Sequence, residues 1–289
     1  MKIEEIKRVG VVGAGQMGRG IAQVAAAAGW DVLLFDVNDA ALESGMKKIR
    51  DGLRKAVEKG SLSKEQADAS LGRLRTAGRL DLVAETQLVI EAIPENADLK
   101  LDLFKRLGFL GKPEAILASN TSSVSITKLA TASGRAAQVI GMHFMNPVPV
   151  MRLVEVVPGM DTSDETVGLV LEVVKRLGKT AVVSKDGAGF IVNRVLMPMI
   201  NEAVFALQEG KGTPETIDLA ITAGLNHPVG PLALADRIGL DTVLAICEVM
   251  HRDLGETKYR PCPLLRKYVE AGRLGRKTGR GFYSYPMES

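Results

Sequence analysis

Arg8-Val9-Gly10-Val11-Val12-Gly13-Ala14-Gly15-Gln16-Met17-Gly18 is the stretch on which the fold turns. Arg8 to Val12 is apolar and β-branched, as a buried parallel strand should be. Gly13, Gly15 and Gly18 then match G-x-G-x-x-G, and Ile21, Ala22, Val24 and Ala25 follow at helical spacing up to Gly29. A glycine triplet alone carries little. Between a strand and a helix it is the fingerprint of a dinucleotide site. Gly13 permits the tight turn, Gly15 lets the backbone approach a pyrophosphate, and Gly18 lets helix and sheet pack closely. The opening helix presents its unpaired N–H groups to the phosphates.

Working outward, Val32-Leu33-Leu34-Phe35 reads as a second strand ending at Asp36. The Asp36 carboxylate can accept from ribose hydroxyls and would repel a 2′-phosphate. No arginine follows it, so NAD is expected rather than NADP. Asp39 is read as the cap of an amphipathic helix reaching Lys59, and Ser63-Lys64-Glu65-Gln66 as the capping region of the next. Further strands are expected over 87–93, 115–118, 138–144, 153–157 and 181–184, and helices over 99–110 and 163–177. This alternation predicts an α/β chain with an open, mostly parallel, doubly wound Rossmann-type sheet. From Phe190 to Glu209 one long helical run follows, with Pro198 a kink, and then shorter helices broken by Gly and Pro. The expected division is residues 1–186 as the nucleotide domain and 187–289 as an all-helical substrate-binding and dimerisation domain.

Composition narrows the function classes. The chain is 46% apolar with a net charge of +3, and its basic residues are interspersed with acids, which argues against a nucleic-acid partner. No apolar run is long enough to span a membrane. The short charged start is neither a secretory nor a transit signal, so a cytoplasmic location is expected. Cys247 and Cys262 read as reduced structural thiols, and no Cys/His spacing suggests a metal. The basic stretch Lys47-Lys48-Ile49-Arg50 through Arg54, Lys55 and Lys59 reads as a solvated helix face, or as a local attraction for the phosphates of an acyl carrier such as coenzyme A.

His143 closes a predicted strand, at the rim where doubly wound folds bind ligands. Glu155 lies on the following strand and can hold one ring nitrogen. That would fix the tautomer and leave the other nitrogen to accept an alcohol proton. Ser119-Asn120-Thr121-Ser122-Ser123 falls on the same rim, with a helix cap as its plainer reading, and Glu95 reads equally as a first-turn helix acid. His227 and His251 are read as structural or surface residues.

Taken together, Gly13 to Gly18, Glu91 to Asn96 with Leu99-Lys100, Ser119 to Ser123, His143 to Pro149, Gly189 to Arg194, His227 to Pro231 and Gly275 to Tyr283 closely resemble the short-chain L-3-hydroxyacyl-CoA dehydrogenase family, nearly end to end. The resemblance implies an NAD-dependent enzyme that interconverts an (S)-3-hydroxyacyl-CoA, foremost 3-hydroxybutyryl-CoA, and its 3-ketoacyl-CoA. His143 would be the general acid/base and Glu155 its partner. Ser122, Asn146, Asn193 and Lys59 would contact the acyl-CoA. Gly13, Gly15, Gln16, Met17, Gly18, Asp36, Glu95, Lys100, Ser122, Asn146 and Lys277 would contact NAD, although Lys277 also reads as a solvated turn lysine. A homodimer through the helical domain and an active site between domains are implied as well. The chain departs from the family at Met145, where Phe is frequent, at Ala188, where Pro is frequent, and at Gly52, where some members use a serine toward coenzyme A. Alternatives are a dehydrogenase of 3-hydroxyadipyl-CoA, or of a hydroxy acid without coenzyme A such as gulonate or carnitine. A β-hydroxyacid dehydrogenase would rely on a lysine and give the His143–Glu155 pair no role. A dinucleotide-binding protein without catalysis would be expected to have lost His143, Glu155 or Asn193.

Overall fold

The computed structural model describes residues 1–286; residues 287–289, which the sequence assigns to the helical domain, lie outside the described residues. The chain separates into two compact units, Met1–Gly187 and Ala188–Ser289.

The first unit runs β1 (Arg8–Val12), α1 (Gln16–Ala27), β2 (Asp31–Phe35), α2 (Asp39–Glu58), α3 (Lys64–Gly72), β3 (Leu74–Thr76), α4 (Leu80–Ala84), β4 (Leu88–Glu91), α5 (Ala97–Leu110), β5 (Ile116–Ser119), α6 (Ile126–Ser133), β6 (Val139–Phe144), β7 (Leu153–Pro158), α7 (Asp164–Arg176) and β8 (Thr180–Val183). The strands form one eight-stranded sheet in the order β3-β2-β1-β4-β5-β6-β7-β8. Every neighbouring pair is parallel except β6 and β7, which run antiparallel. Strands β1, β4, β5 and β6 are buried almost throughout, because helices cover both faces of the parallel part. The strand order changes direction at β1, running outward to β2 and β3 on one side and to β4 and β5 on the other, which opens the crevice above the carboxyl ends of β1 and β4.

The strand Leu74–Thr76 was not expected. Three residues between helices are too few for a periodic signal, and pairing to β2 makes them a strand. Two caps differ from expectation. Asn38, not Asp39, caps α2, its side chain accepting the Ala41 N–H at 3.2 Å. Asp39 is instead the acid of the first turn. Ser125, beyond the Ser119–Ser123 run, caps α6. Ser63 caps α3 in a reciprocal box with Gln66.

The second unit holds α8 (Val192–Gln208), α9 (Pro214–Leu225), α10 (Pro231–Ile238), α11 (Leu240–Leu254) and α12 (Pro263–Glu270), around a core that includes Met197, Ile200, Val204, Leu232, Val243, Met250 and Leu265. Its tail is tied back by the buried Asp236. That carboxylate accepts from the N–H groups of Phe282 and Tyr283 and from the Tyr285 hydroxyl. Among the described residues no helix is long and apolar enough to cross a membrane.

Candidate active site

The glycine turn fits a dinucleotide. Gly13 has φ +105°, and a Cβ there would lie 2.5 Å from the Ala92 carbonyl oxygen. A Cβ on Gly18 would come within 1.8 Å of the Gly13 carbonyl oxygen, so this position closes the turn against the helix. Gly15 is different in kind: its φ is −65°, and nothing lies within 4 Å of where its Cβ would be. It is the N-cap of α1 and supplies no side-chain cap, so open space adjoins the uncapped helix N-terminus. Asp36 Oδ2 accepts the Ala14 N–H at 2.7 Å and Oδ1 the Asn38 N–H at 3.0 Å. The acid therefore both holds the turn and stands at the carboxyl end of β2. Met17 packs against the sheet core, while Gln16 is exposed and donates from Nε2 to Asn146 Oδ1 at 3.0 Å.

His143 is the fifth residue of β6, and the antiparallel register sets it directly opposite Glu155 on β7. Opposed residues point to the same face of a sheet. His143 Nδ1 and Glu155 Oε2 lie 2.7 Å apart, with the Glu155 side chain wholly buried. The connection between the two strands carries Asn146, whose bond to Pro147 is cis. Lys179 braces this connection, donating to the carbonyls of Val148 at 2.6 Å and Met151 at 2.7 Å. Asn120 Oδ1 accepts the Phe144 N–H at 2.9 Å and ties the rim of β5 to the end of β6.

Beneath this rim lies a charge network, buried at Lys100 and Glu91 and exposed at Glu95, whose central partner, Glu91, the sequence reading did not single out. Lys100 is 1% exposed and pairs with Glu91, the last residue of β4, and with Glu95 at 3.3 Å. Glu91 also accepts from the Ser119 hydroxyl at 2.5 Å and the Ile93 N–H at 2.8 Å. Burial is the strongest influence on Glu91 and holds its carboxyl above the usual range, against the pull of Lys100 and of the two donors. Glu95 precedes α5, which Asn96 caps, so it is not a first-turn acid. Its Oε1 accepts from the Ser122 N–H, the Ser123 N–H and the Ser123 hydroxyl at 2.8–2.9 Å, and from the Thr121 hydroxyl. Burial pushes the Glu95 carboxyl up, but the Lys100 charge and these donors outweigh it and hold it below the usual range. One carboxylate thus ties the loop after β4 to the loop after β5 and fixes Ser122. The network had a signal: Lys100 shares a helical stripe with the buried Leu103, Phe104 and Leu107, and a lysine on a core stripe needs a buried acid.

The remaining expected residues stand on other elements. Lys59 is the exposed C-cap of α2. Asn193 is buried near the start of α8 in the second unit. Lys277 lies in a short 3-10 turn of the second unit and pairs with Asp241 at 2.5 Å.

Comparison with known proteins places both units in one family. Residues 8–187 match the 3-hydroxyacyl-CoA dehydrogenase NAD binding domain, and residues 189–285 match the C-terminal domain of the same family. A probable 3-hydroxybutyryl-CoA dehydrogenase of Deinococcus radiodurans is 57% identical over 278 residues, 96% of this chain and 100% of its own. The 3-hydroxybutyryl-CoA dehydrogenase of Bradyrhizobium diazoefficiens is 54% identical over 280 residues, 97% of this chain and 96% of its own. The crystal structure of (S)-3-hydroxybutyryl-CoA dehydrogenase from Ralstonia eutropha superposes with a TM-score of 0.93 at 48% identity, covering 98% of this chain and 100% of that one.

Proposed function

The chain belongs to the 3-hydroxyacyl-CoA dehydrogenase family and is an NAD-dependent oxidoreductase of 3-hydroxyacyl-CoA, and within that activity we propose that it acts on the four-carbon pair (S)-3-hydroxybutyryl-CoA and acetoacetyl-CoA with His143 as general acid/base. The short acyl chain rests on the names of its relatives. The base assignment rests above all on one observation, the antiparallel register that sets the Glu155 carboxylate 2.7 Å from His143 Nδ1.

In oxidation, His143 Nε2 takes the proton of the substrate 3-hydroxyl. Bound NAD supplies the acceptor for the hydride that leaves C3. The carboxylate of Glu155 accepts from Nδ1–H, holds the ring in the tautomer whose Nε2 is basic, and stabilises the imidazolium that results. In reduction, the same imidazolium returns its proton to the oxygen of the forming alcohol. Ser122, oriented by Glu95, and Asn146, oriented by Gln16, are assigned to the substrate oxygen and the nicotinamide end. Gly13, Gly15 and Gly18 are assigned to the pyrophosphate and Asp36 to the adenosine ribose. Lys100 serves NAD by holding Glu95, being itself buried. Lys59, Asn193 and Lys277 are proposed as substrate or cofactor contacts on the sequence resemblance alone, and the dimer through the helical domain rests on the same ground.

The test is NADH oxidation with acetoacetyl-CoA, run beside NADPH and with a His143→Ala variant. Turnover with NADH that collapses in the variant, while NADH binding persists, is the expected result. No turnover with acetoacetyl-CoA by wild type that binds NADH would reject the four-carbon assignment and move the search to 3-hydroxyadipyl-CoA and to free hydroxy acids.

A further inference from the structure

Strand β6 runs on past its neighbour β5. Its ladder with β5 ends where Ser119 faces Gly141, whereas its ladder with β7 continues through His143 and Phe144. Met142, His143 and Phe144 therefore extend beyond the last β5 partner, and the histidine rides on a strand end that is laddered along one edge only. Such an end opens more readily than the middle of a sheet, because fewer backbone hydrogen bonds hold it. Phe144 is also buried, and a buried N–H left without an acceptor is costly.

Asn120 takes the missing place. It is the first residue after β5, and its Oδ1 accepts the Phe144 N–H at 2.9 Å. The side-chain amide stands in for the backbone carbonyl that a longer β5 would have offered. Asn120 is itself anchored. Its own N–H donates to the Glu91 carbonyl at 2.8 Å, and Ser119 before it donates to the Glu91 carboxylate at 2.5 Å. Thr121 after it donates from its N–H to the Ser119 hydroxyl at 3.1 Å and from its hydroxyl to Glu95. The bond to Phe144 thus ties the end of β6 to the Glu91–Lys100–Glu95 network. Lys179 holds the β6–β7 connection only further on, at Val148 and Met151, and does not replace this bond.

We propose that Asn120 is a positioning residue for the reaction: by holding the Phe144 N–H it keeps the end of β6 in register, and so keeps His143 Nδ1 on Glu155 and the other ring nitrogen aimed at the substrate. The proposal rests on the reading of His143 as general acid/base given above. His143 lies one residue before the pinned amide, so a shift of the Phe144 backbone moves the imidazole. Glu155 sits on the neighbouring strand β7 and does not follow that shift.

The test uses two substitutions. Asn120→Leu keeps the approximate volume and removes the acceptor, while Asn120→Asp keeps an acceptor and removes the amide donor. Each is assayed with acetoacetyl-CoA and NADH, alone and combined with Glu155→Gln, beside the Kd for NADH and a thermal melt. A base misplaced by about 1 Å can cost a hundredfold in rate. Asn120→Leu is therefore expected to lower kcat about ten- to fiftyfold with the Kd for NADH unchanged, and Asn120→Asp to stay within about threefold of wild type. In the Glu155→Gln background, where the pair is already broken, Asn120→Leu should cost less than about threefold, because changes that act through one contact do not add. A folded Leu variant with near-normal kcat would overturn the proposal. Equal losses in the Leu and Asp variants would overturn it by giving the effect to the amide donor. Losses that add to that of Glu155→Gln would overturn it by showing that Asn120 acts elsewhere. Should the Leu variant not fold, amide hydrogen exchange decides: the Phe144 N–H should be protected in wild type and in the Asp variant, and rapid exchange there would refute the pinning. Failure of the underlying reading looks different, because His143→Ala would then keep its turnover whatever Asn120 does.

Discussion

Replacing Glu155 with Gln tests the proposed catalytic pair with little change of shape. The carboxylate is fully buried and its Oε2 lies 2.7 Å from His143 Nδ1. When His143 takes the alcohol proton, a positive ring forms beside a negative carboxylate. At about 4 Å between charge centres and an effective dielectric near 20, their attraction is about 4 kcal/mol. Gln keeps the volume and a carbonyl acceptor but loses that attraction, and its amide can instead donate to Nδ1, which selects the wrong tautomer. Part of the loss is returned, because a neutral amide costs less to bury than a carboxylate. The expected result for Glu155→Gln is therefore a fall in kcat of about a hundred- to a thousandfold in both directions, with the Kd for NADH unchanged. Initial rates with acetoacetyl-CoA and NADH, and with 3-hydroxybutyryl-CoA and NAD, measure it. Fluorescence titration gives the Kd, and a thermal melt checks the fold. A folded variant that keeps kcat within about threefold of wild type would refute the electrostatic role assigned to Glu155.

The roles of the second and third glycines of the turn should separate cleanly. Gly18→Ala forces a methyl to within 1.8 Å of the Gly13 carbonyl oxygen and should cost about 3 kcal/mol or more in stability, seen in chemical denaturation. Gly15→Ala meets no protein atom at a permitted φ of −65°, so its melt should match wild type while its Kd for NADH rises at least about tenfold. In the second unit, burial first, and then the neighbouring Asp236 charge and the hydrogen bond to it, push the Tyr285 hydroxyl up to about 12. A folded-state pKa raised above the unfolded value of about 10 means stability that is fully present below pH 10 and lost as pH rises toward 12. Melting temperature should therefore drop over that interval, and Tyr285→Phe should flatten the part of the drop that Tyr285 contributes; an unchanged alkaline slope in the variant would assign it to other groups.

Much of the molecule was legible in local chemistry. Apolar β-branched runs, the G-x-G-x-x-G turn and the Ser63 box each act through neighbours a few residues away, so strand, helix and cap could be read in order. The three-residue β3 was not legible, because pairing with β2 creates it. The exact cap of α2 fell to Asn38 because both Asn38 and Asp39 can cap, and only the backbone path chooses between them.

The site shows the same division. A strand-end histidine and a glutamate on the next strand could be named as partners from order along the chain. That they oppose each other depends on β6 and β7 being the one antiparallel pair of the sheet, which is a property of strand packing. The Glu91–Lys100–Glu95 network joins the ends of two strands through a helix, so no spacing within one element reveals it, although the core-facing Lys100 signalled that an acid had to be near. Residue types along the chain, together with the family they resemble, were enough to determine the class of chemistry, because binding a pyrophosphate and moving a proton each demand particular groups. Which groups meet was decided only by the tertiary structure, because burial makes an unpaired charge costly and leaves few arrangements in which every one is matched.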